Sequence, residues 1–248
     1  DMRFVHYGVN PTIDTAETPL STFSVDVDTA SYTVTRGHLE RGHLPDPASV
    51  RVEEFVNRFD AGDAPPQAGP FAVHAEAFPS PNRRGYHVLR LGLKAQVIDA
   101  ADRQPAHLTF VVDVSGSMQR DDRLGLVKQA LGLLAGQLDE RDSVAIVGYA
   151  GDATVLLEAT AATDRDTILT ALGKLAPRGS TNAHAGLMLG YRLAQKRQHL
   201  PGVHRVILCS DGVANNGVDD PDALAERIAE FAQEGVGLTA VGFGMGHY

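Results

Sequence analysis

Short, almost uninterrupted apolar runs, separated by stretches with helical spacing, constrain the fold of this 248-residue chain more than any other feature. Residues 107–113 (HLTFVVD), 143–149 (SVAIVGY) and 204–210 (HRVILCS) read as buried strands, and 236–243 (VGLTAVGF) as the last strand. Between them, Leu124, Val127, Leu131, Leu134 and Leu138 recur at steps of three and four, the stripe of one amphipathic helix. Ile168, Leu172 and Leu175 mark a second helix that Pro177 stops, and Leu187, Tyr191 and Ala194 a third. Pro221 opens a fourth, carrying Leu224, Ile228 and Phe231, and 154–157 reads as a short edge strand. Strand and helix alternating over about 140 residues predict an α/β fold: a doubly wound, mostly parallel, Rossmann-like sheet. Such sheets bind ligands outside the carboxyl ends of their strands, where the strand order reverses.

The first 104 residues follow a different pattern and are expected to form a small α+β module, with the sheet domain over 105–248. Asp28 is placed to cap a helix running to Leu39, and Asp46-Pro47 to open another with Val52, Phe55, Val56 and Phe59 on one face. Residues 61–70 (AGDAPPQAGP) read as a linker. Phe71, Val73 and Ala75, and then Leu89, Leu91 and Leu93, alternate as in two half-buried strands. A chain beginning at Asp1 is expected to be a trimmed or mature form, and the doubly wound pattern leads one to expect a closing helix and strand after Tyr248.

Charge narrows the partners. With 22 Lys and Arg against 31 Asp and Glu, the net charge of −9 argues against nucleic acid or anionic lipid and permits a cation. A single cysteine excludes an internal disulfide and a Cys-rich zinc site. No stretch approaches the roughly 20 apolar residues of a membrane-spanning helix.

Chemistry gathers where the buried strands end. The first runs into Asp113-Val114-Ser115-Gly116-Ser117, which sets an acid and two hydroxyls on one tight loop, with Gly116 permitting the bend. Hard oxygen donors of this kind suit Mg²⁺, Mn²⁺ or Ca²⁺ rather than Zn²⁺. The strand 204–210 ends in the same way, at Ser210-Asp211-Gly212, and a third polar loop, 178–182 (RGSTN), precedes a helix.

These three loops, in this order, resemble the von Willebrand factor A domain over roughly 105–248. The resemblance implies a six-stranded sheet with a divalent cation, Mg²⁺ first, at a metal-ion-dependent adhesion site. Asp113, Ser115 and Ser117 correspond to its first loop, Thr181 to its second and Asp211 to its third. It further implies an open coordination position that an Asp or Glu of a partner protein fills, with Gly116, Met118, Asn182, His184, Gly212 and Asn215 around the rim. Residues 19–32 (PLSTFSVDVDTASY), 50–59 (VRVEEFVNRF) and the ending VGFGMGHY resemble bacterial envelope proteins that place such a domain after a characteristic N-terminal segment. That points to a periplasmic, lipid-anchored or extracellular setting and to binding, not catalysis.

Two rival readings are carried alongside. Asp26-Val27-Asp28-Thr29 shares its paired acids with aspartate-nucleophile phosphatases, although a strand end followed by a helix cap explains it as well. The domain is also readable as a structural envelope component with a vestigial metal site. No phosphate-binding loop, G-x-x-x-x-G-K-[ST], or nucleophile elbow, G-x-S-x-G, is present. Cys209, inside an apolar strand, reads as a buried inert thiol.

Overall fold

The computed structural model describes residues 8, 10–22, 27–119, 121–211 and 221–243, with side chains described at all of these except 121, 122 and 221–223. The chain divides into two compact units between Arg103 and Gln104.

The larger unit is built on a sheet of five strands, β3 (Ala106–Asp113), β4 (Ser143–Tyr149), β5 (Ala153–Ala161), β6 (Val203–Ser210) and β7 (Val236–Gly242). They lie in the order β5-β4-β3-β6-β7. β3 pairs in parallel with β4 on one side and β6 on the other, β7 extends the sheet in parallel beyond β6, and β5 is antiparallel to β4. Five strands are found among the described residues, where the family resemblance implied six. β5 runs to nine residues where only 154–157 was expected, because hairpin pairing along β4 extends it past its apolar run.

Strand alternation divides the core between two faces. Phe110, Val112, Val144 and Ile146 pack with Val127, Leu131, Ile168 and Leu172 of α3 (Leu126–Ala135) and α4 (Arg165–Gly173). Val111, Ala145 and Val147 pack with Leu187, Tyr191 and Phe231 of α5 (Ala183–Gln195) and α6 (Pro221–Gln233). A strand that meets helices on both faces has no polar alternation to show, which is why these segments read as continuous apolar runs. α3 is preceded by a π-helical turn, Asp121–Gly125, so Leu124 joins the core ahead of the regular helix. α5 lies close on the sheet because Gly186 faces the Tyr149 ring, where an added Cβ would come within 2.6 Å of Cγ. β3 lies between β4 and β6, so the chain leaves β3 first toward one side and later returns on the other. This reversal opens a crevice at the carboxyl ends of β3 and β6.

The smaller unit begins with α1 (Ala30–Glu40), whose cap residue is Thr29 and not Asp28 as expected. The single helix expected from Asp46 is instead broken into a 3₁₀ turn, Pro47–Ser49, and α2 (Val52–Asn57), with Val50 and Arg51 extended between them. The break has a cause elsewhere in the chain. Ser31 Oγ donates to the Ser49 carbonyl and accepts from Arg51 N–H, diverting backbone groups that a continuous helix would use. Tyr32 stacks edge-on against Phe55 and Phe59 at 5.4 and 5.5 Å.

β1 (Phe71–Pro79) and β2 (His87–Ala95) form an antiparallel hairpin. Residues 61–70, expected to be a linker, fold back on it: Arg90 pairs with Asp63, and His74 Nε2 hydrogen-bonds the Ala64 carbonyl at 2.9 Å. Phe71, Val73 and Leu89 remain exposed rather than half-buried, since a two-stranded sheet buries little by itself.

Candidate functional site

The Asp113 loop is shaped by its own acid. Asp113 is fully buried, and its Oδ1 accepts the Ser115 N–H at 2.8 Å, turning the chain sharply out of β3. The Ser115 and Ser117 hydroxyls then meet at 3.0 Å. Asp113 Oδ2 accepts the Ser210 hydroxyl at 3.1 Å and, more weakly, the Tyr149 hydroxyl at 3.4 Å. The ends of β3, β4 and β6 thus converge on one carboxylate.

The second loop is fastened to the first through backbone. Arg178 N–H donates to the Val114 carbonyl at 2.6 Å, and Gly116 N–H to the Gly179 carbonyl at 3.1 Å. Gly179 has a φ of +61°, a conformation that favours glycine at this close approach. Asn182 N–H donates to the Ala150 carbonyl, and the Asn182 side chain caps α5 by accepting Ala185 N–H at 3.0 Å. Thr181, between these anchors, is buried.

The third loop leaves β6 at Asp211, which is buried and ion-paired with Arg123. The same Arg123 nitrogen, Nη1, donates to the Ser117 carbonyl at 3.0 Å, tying the first loop to the third.

Burial pushes the Asp113 carboxyl above its usual range; hydrogen bonds from Ser115 and Ser210 oppose this, and the charge of Asp211 adds to it. Burial likewise pushes the Tyr149 phenol up, with Asp113 next in effect. A dry carboxylate beside a second one favours any cation placed between them and the hydroxyls. Among the described residues no three His, Cys, Asp or Glu side chains gather to hold a metal ion. The candidate donor set is two acids and three hydroxyls, and this all-oxygen chemistry fits Mg²⁺ or Mn²⁺ better than zinc.

Asp113, Ser115 and Ser117 thus share one loop, with the Thr181 loop bonded to it and Asp211 joined through Arg123. Of the residues expected at the rim, Gly116 and His184 are exposed and Asn182 is half-buried. Met118 is a correction: expected at the rim, it is wholly buried in the core under the 3₁₀ turn Gly116–Gln119, whose tight winding turns this side chain inward. Gly212, Asn215 and Asp26 lie outside the described residues, and Asp28 is exposed ahead of α1. Cys209 is buried as expected, and burial pushes its thiol up to about 12.

Three contributors were absent from the expected site: Arg123, Tyr149 and Ser210. Ser210 and Tyr149 end buried strands next to the Asp113 strand, a position that marks any polar side chain for the crevice. Arg123 carried only one signal, a basic residue immediately ahead of an apolar helix stripe.

A family model described as von Willebrand factor matches residues 1–90, and one described as von Willebrand factor type A domain matches residues 108–213. The uncharacterized protein YfbK of Escherichia coli (strain K12) is 37% identical over 254 residues, covering 99% of this chain and 44% of that protein. Human inter-alpha-trypsin inhibitor heavy chain H3 is 28% identical over 149 residues, covering 56% of this chain and 16% of that protein. The chain spans less than half the length of these curated relatives. Among solved structures, a von Willebrand factor type A protein from Catenulispora acidiphila superposes with a TM-score of 0.51 at 20% identity, covering 77% of this chain and 43% of that one, a likeness of fold.

Proposed function

The chain belongs to the von Willebrand factor type A domain proteins, and on that premise we propose that it is a protein-binding module that captures an acidic residue of a partner through a divalent cation. Modules of this family commonly mediate protein interactions. Asp113, Ser115, Ser117 and Thr181 would hold the cation, with Asp211 in contact or just behind. The partner's Asp or Glu would take the remaining position, and Gly116, Asn182 and His184 would border it.

The observation that carries this reading is the fully buried Asp113 carboxylate, at which the ends of three strands converge beside the paired Ser115 and Ser117 hydroxyls. A buried charge without an adjacent cation is unfavourable, and a divalent ion bound there would reverse that cost. The two hydroxyls hydrogen-bond each other, which supports neutral ligands over nucleophiles and binding over catalysis. The N-terminal segments 19–32 and 50–59 support a setting at the bacterial cell envelope.

The test is thermal unfolding with and without Mg²⁺ or Mn²⁺. Wild-type protein is expected to melt higher with metal, and Asp113→Ala to lose the response. A wild-type melting temperature indifferent to millimolar metal refutes the reading.

One observation favours a second reading, a structural component with a vestigial metal site: Asp211 already has a cation in Arg123. Under that reading Asp113→Ala leaves both the fold and the capture of envelope partners unchanged.

A further inference from the structure

Arg123 carries more than the family reading assigns to it. Its guanidinium is buried and reaches the third loop from a π-helical turn, an inserted geometry that often marks functional positions. Its use of donors is uneven. Nη1 serves both the Ser117 carbonyl and Asp211 Oδ2, while Nε, also buried, finds no acceptor among the described residues. Arginine holds a carboxylate most firmly through a two-pronged fork; among the described residues Asp211 meets Nη1 alone, and Nε is buried without an acceptor. Such a pair holds Asp211 through one Arg123 nitrogen rather than two.

The charge at the site depends on this residue. Asp113, Asp211 and Arg123 together leave one net negative charge. A divalent cation turns that into one net positive charge, which an acidic ligand neutralises. Without Arg123 the same cation would leave the site neutral, and an anionic ligand would gain less on arrival.

We propose that Arg123 is an internal counter-cation that competes with the divalent metal for the Asp211 carboxylate, restraining metal entry and keeping the loaded site positive toward an anionic ligand. The inference rests on the metal reading above and assigns a positioning and charge-setting role to a residue outside the ligand set.

The probe is Mn²⁺, titrated calorimetrically into wild-type, Arg123→Gln and Arg123→Lys protein. Gln removes the charge but keeps donors for Asp211 and the Ser117 carbonyl, whereas Lys keeps the charge and loses the planar fork. Loss of a nearby positive charge is expected to tighten Mn²⁺ binding in Arg123→Gln by at least about tenfold, with Arg123→Lys within about threefold of wild type. A merely structural role would loosen binding in both variants, and that result overturns the proposal while leaving the metal reading intact. Equal affinity in wild type and Arg123→Gln overturns it as well. Absence of binding in wild type and Arg123→Gln alike overturns both readings together. Should Arg123→Gln not fold, wild-type protein decides: Mg²⁺ should shift the Arg123 Nε–H resonance with the same half-saturation as the melting response, and an unmoved resonance refutes the competition.

Discussion

Replacing Asp113 with Asn should stabilise the metal-free protein while removing its response to metal. The Asp113 carboxyl is fully buried and sits beside Asp211. A group whose carboxyl is raised in the folded state contributes stability only while protonated, below its ordinary value of 3.8, and loses it as pH climbs through the folded value. At neutral pH the ionised side chain is therefore a burden on the metal-free fold. Moving a carboxylate out of water costs roughly several kcal/mol. Hydrogen bonds to the charge return about 1.5–3 kcal/mol each at best. Two here are short, from Ser115 N–H at 2.8 Å and Ser210 at 3.1 Å, and the one from Tyr149 is long at 3.4 Å. Asn keeps the Oδ1 acceptor for Ser115 N–H and sets an amide Nδ2 against two hydroxyl oxygens that can accept from it. The expected net gain is about 1–2 kcal/mol, a rise of about 2–8 °C in melting temperature for a domain of this size. Differential scanning fluorimetry in EDTA, then in Mg²⁺, reads both halves. A metal-free Asp113→Asn protein that melts at or below wild type refutes the reasoning, because the carboxylate would then be fully compensated by its neighbours.

Three further outcomes are expected elsewhere in the domain. Gly186→Ala should lower stability by about 1–3 kcal/mol in chemical unfolding, since the new methyl meets the Tyr149 ring beneath α5; an unchanged unfolding midpoint would mean that the helix shifts freely. Burial pushes the His107 imidazole below its ordinary 6.5 where it stacks on His204 at 4.7 Å and hydrogen-bonds Ser143 at 2.8 Å. The unfolded chain then binds more protons, so stability should be full above pH 6.5 and fall as pH drops below it, and His107→Gln should flatten that slope in a pH series of melting curves. Cys209, with its thiol pushed up to about 12, should react with Ellman's reagent only after unfolding, and fast labelling of native protein would contradict its burial.

The sheet domain was legible because its physics is local and repetitive. Strands flanked by helices on both faces must be apolar at every position, so 143–149 as read in sequence coincides with β4, and 107–113 falls one residue short of β3. Acids and hydroxyls placed directly after such strands pointed to the crevice for the same reason, and so Asp113, Ser115, Ser117 and Asp211 could be named. The smaller unit was less legible. Its helix from Asp46 is broken by Ser31, a residue 18 positions from Ser49 in the chain, and spacing within a segment carries no trace of such a contact. Met118 misled for a related reason: its neighbours face the site, but a 3₁₀ turn aims this side chain into the core.

The alternation of strands and helices, and the loops that carry oxygen donors, were legible along the chain, because periodicity and strand-end chemistry are properties of contiguous residues. How charge is arranged among those loops is a matter of long-range packing. Arg123 and Asp211 lie 88 residues apart, and Ser210 reaches Asp113 across 97. Which cation meets which carboxylate depends on strand order and on the π-turn ahead of α3. These are set by packing over the whole domain and leave no local mark on the chain.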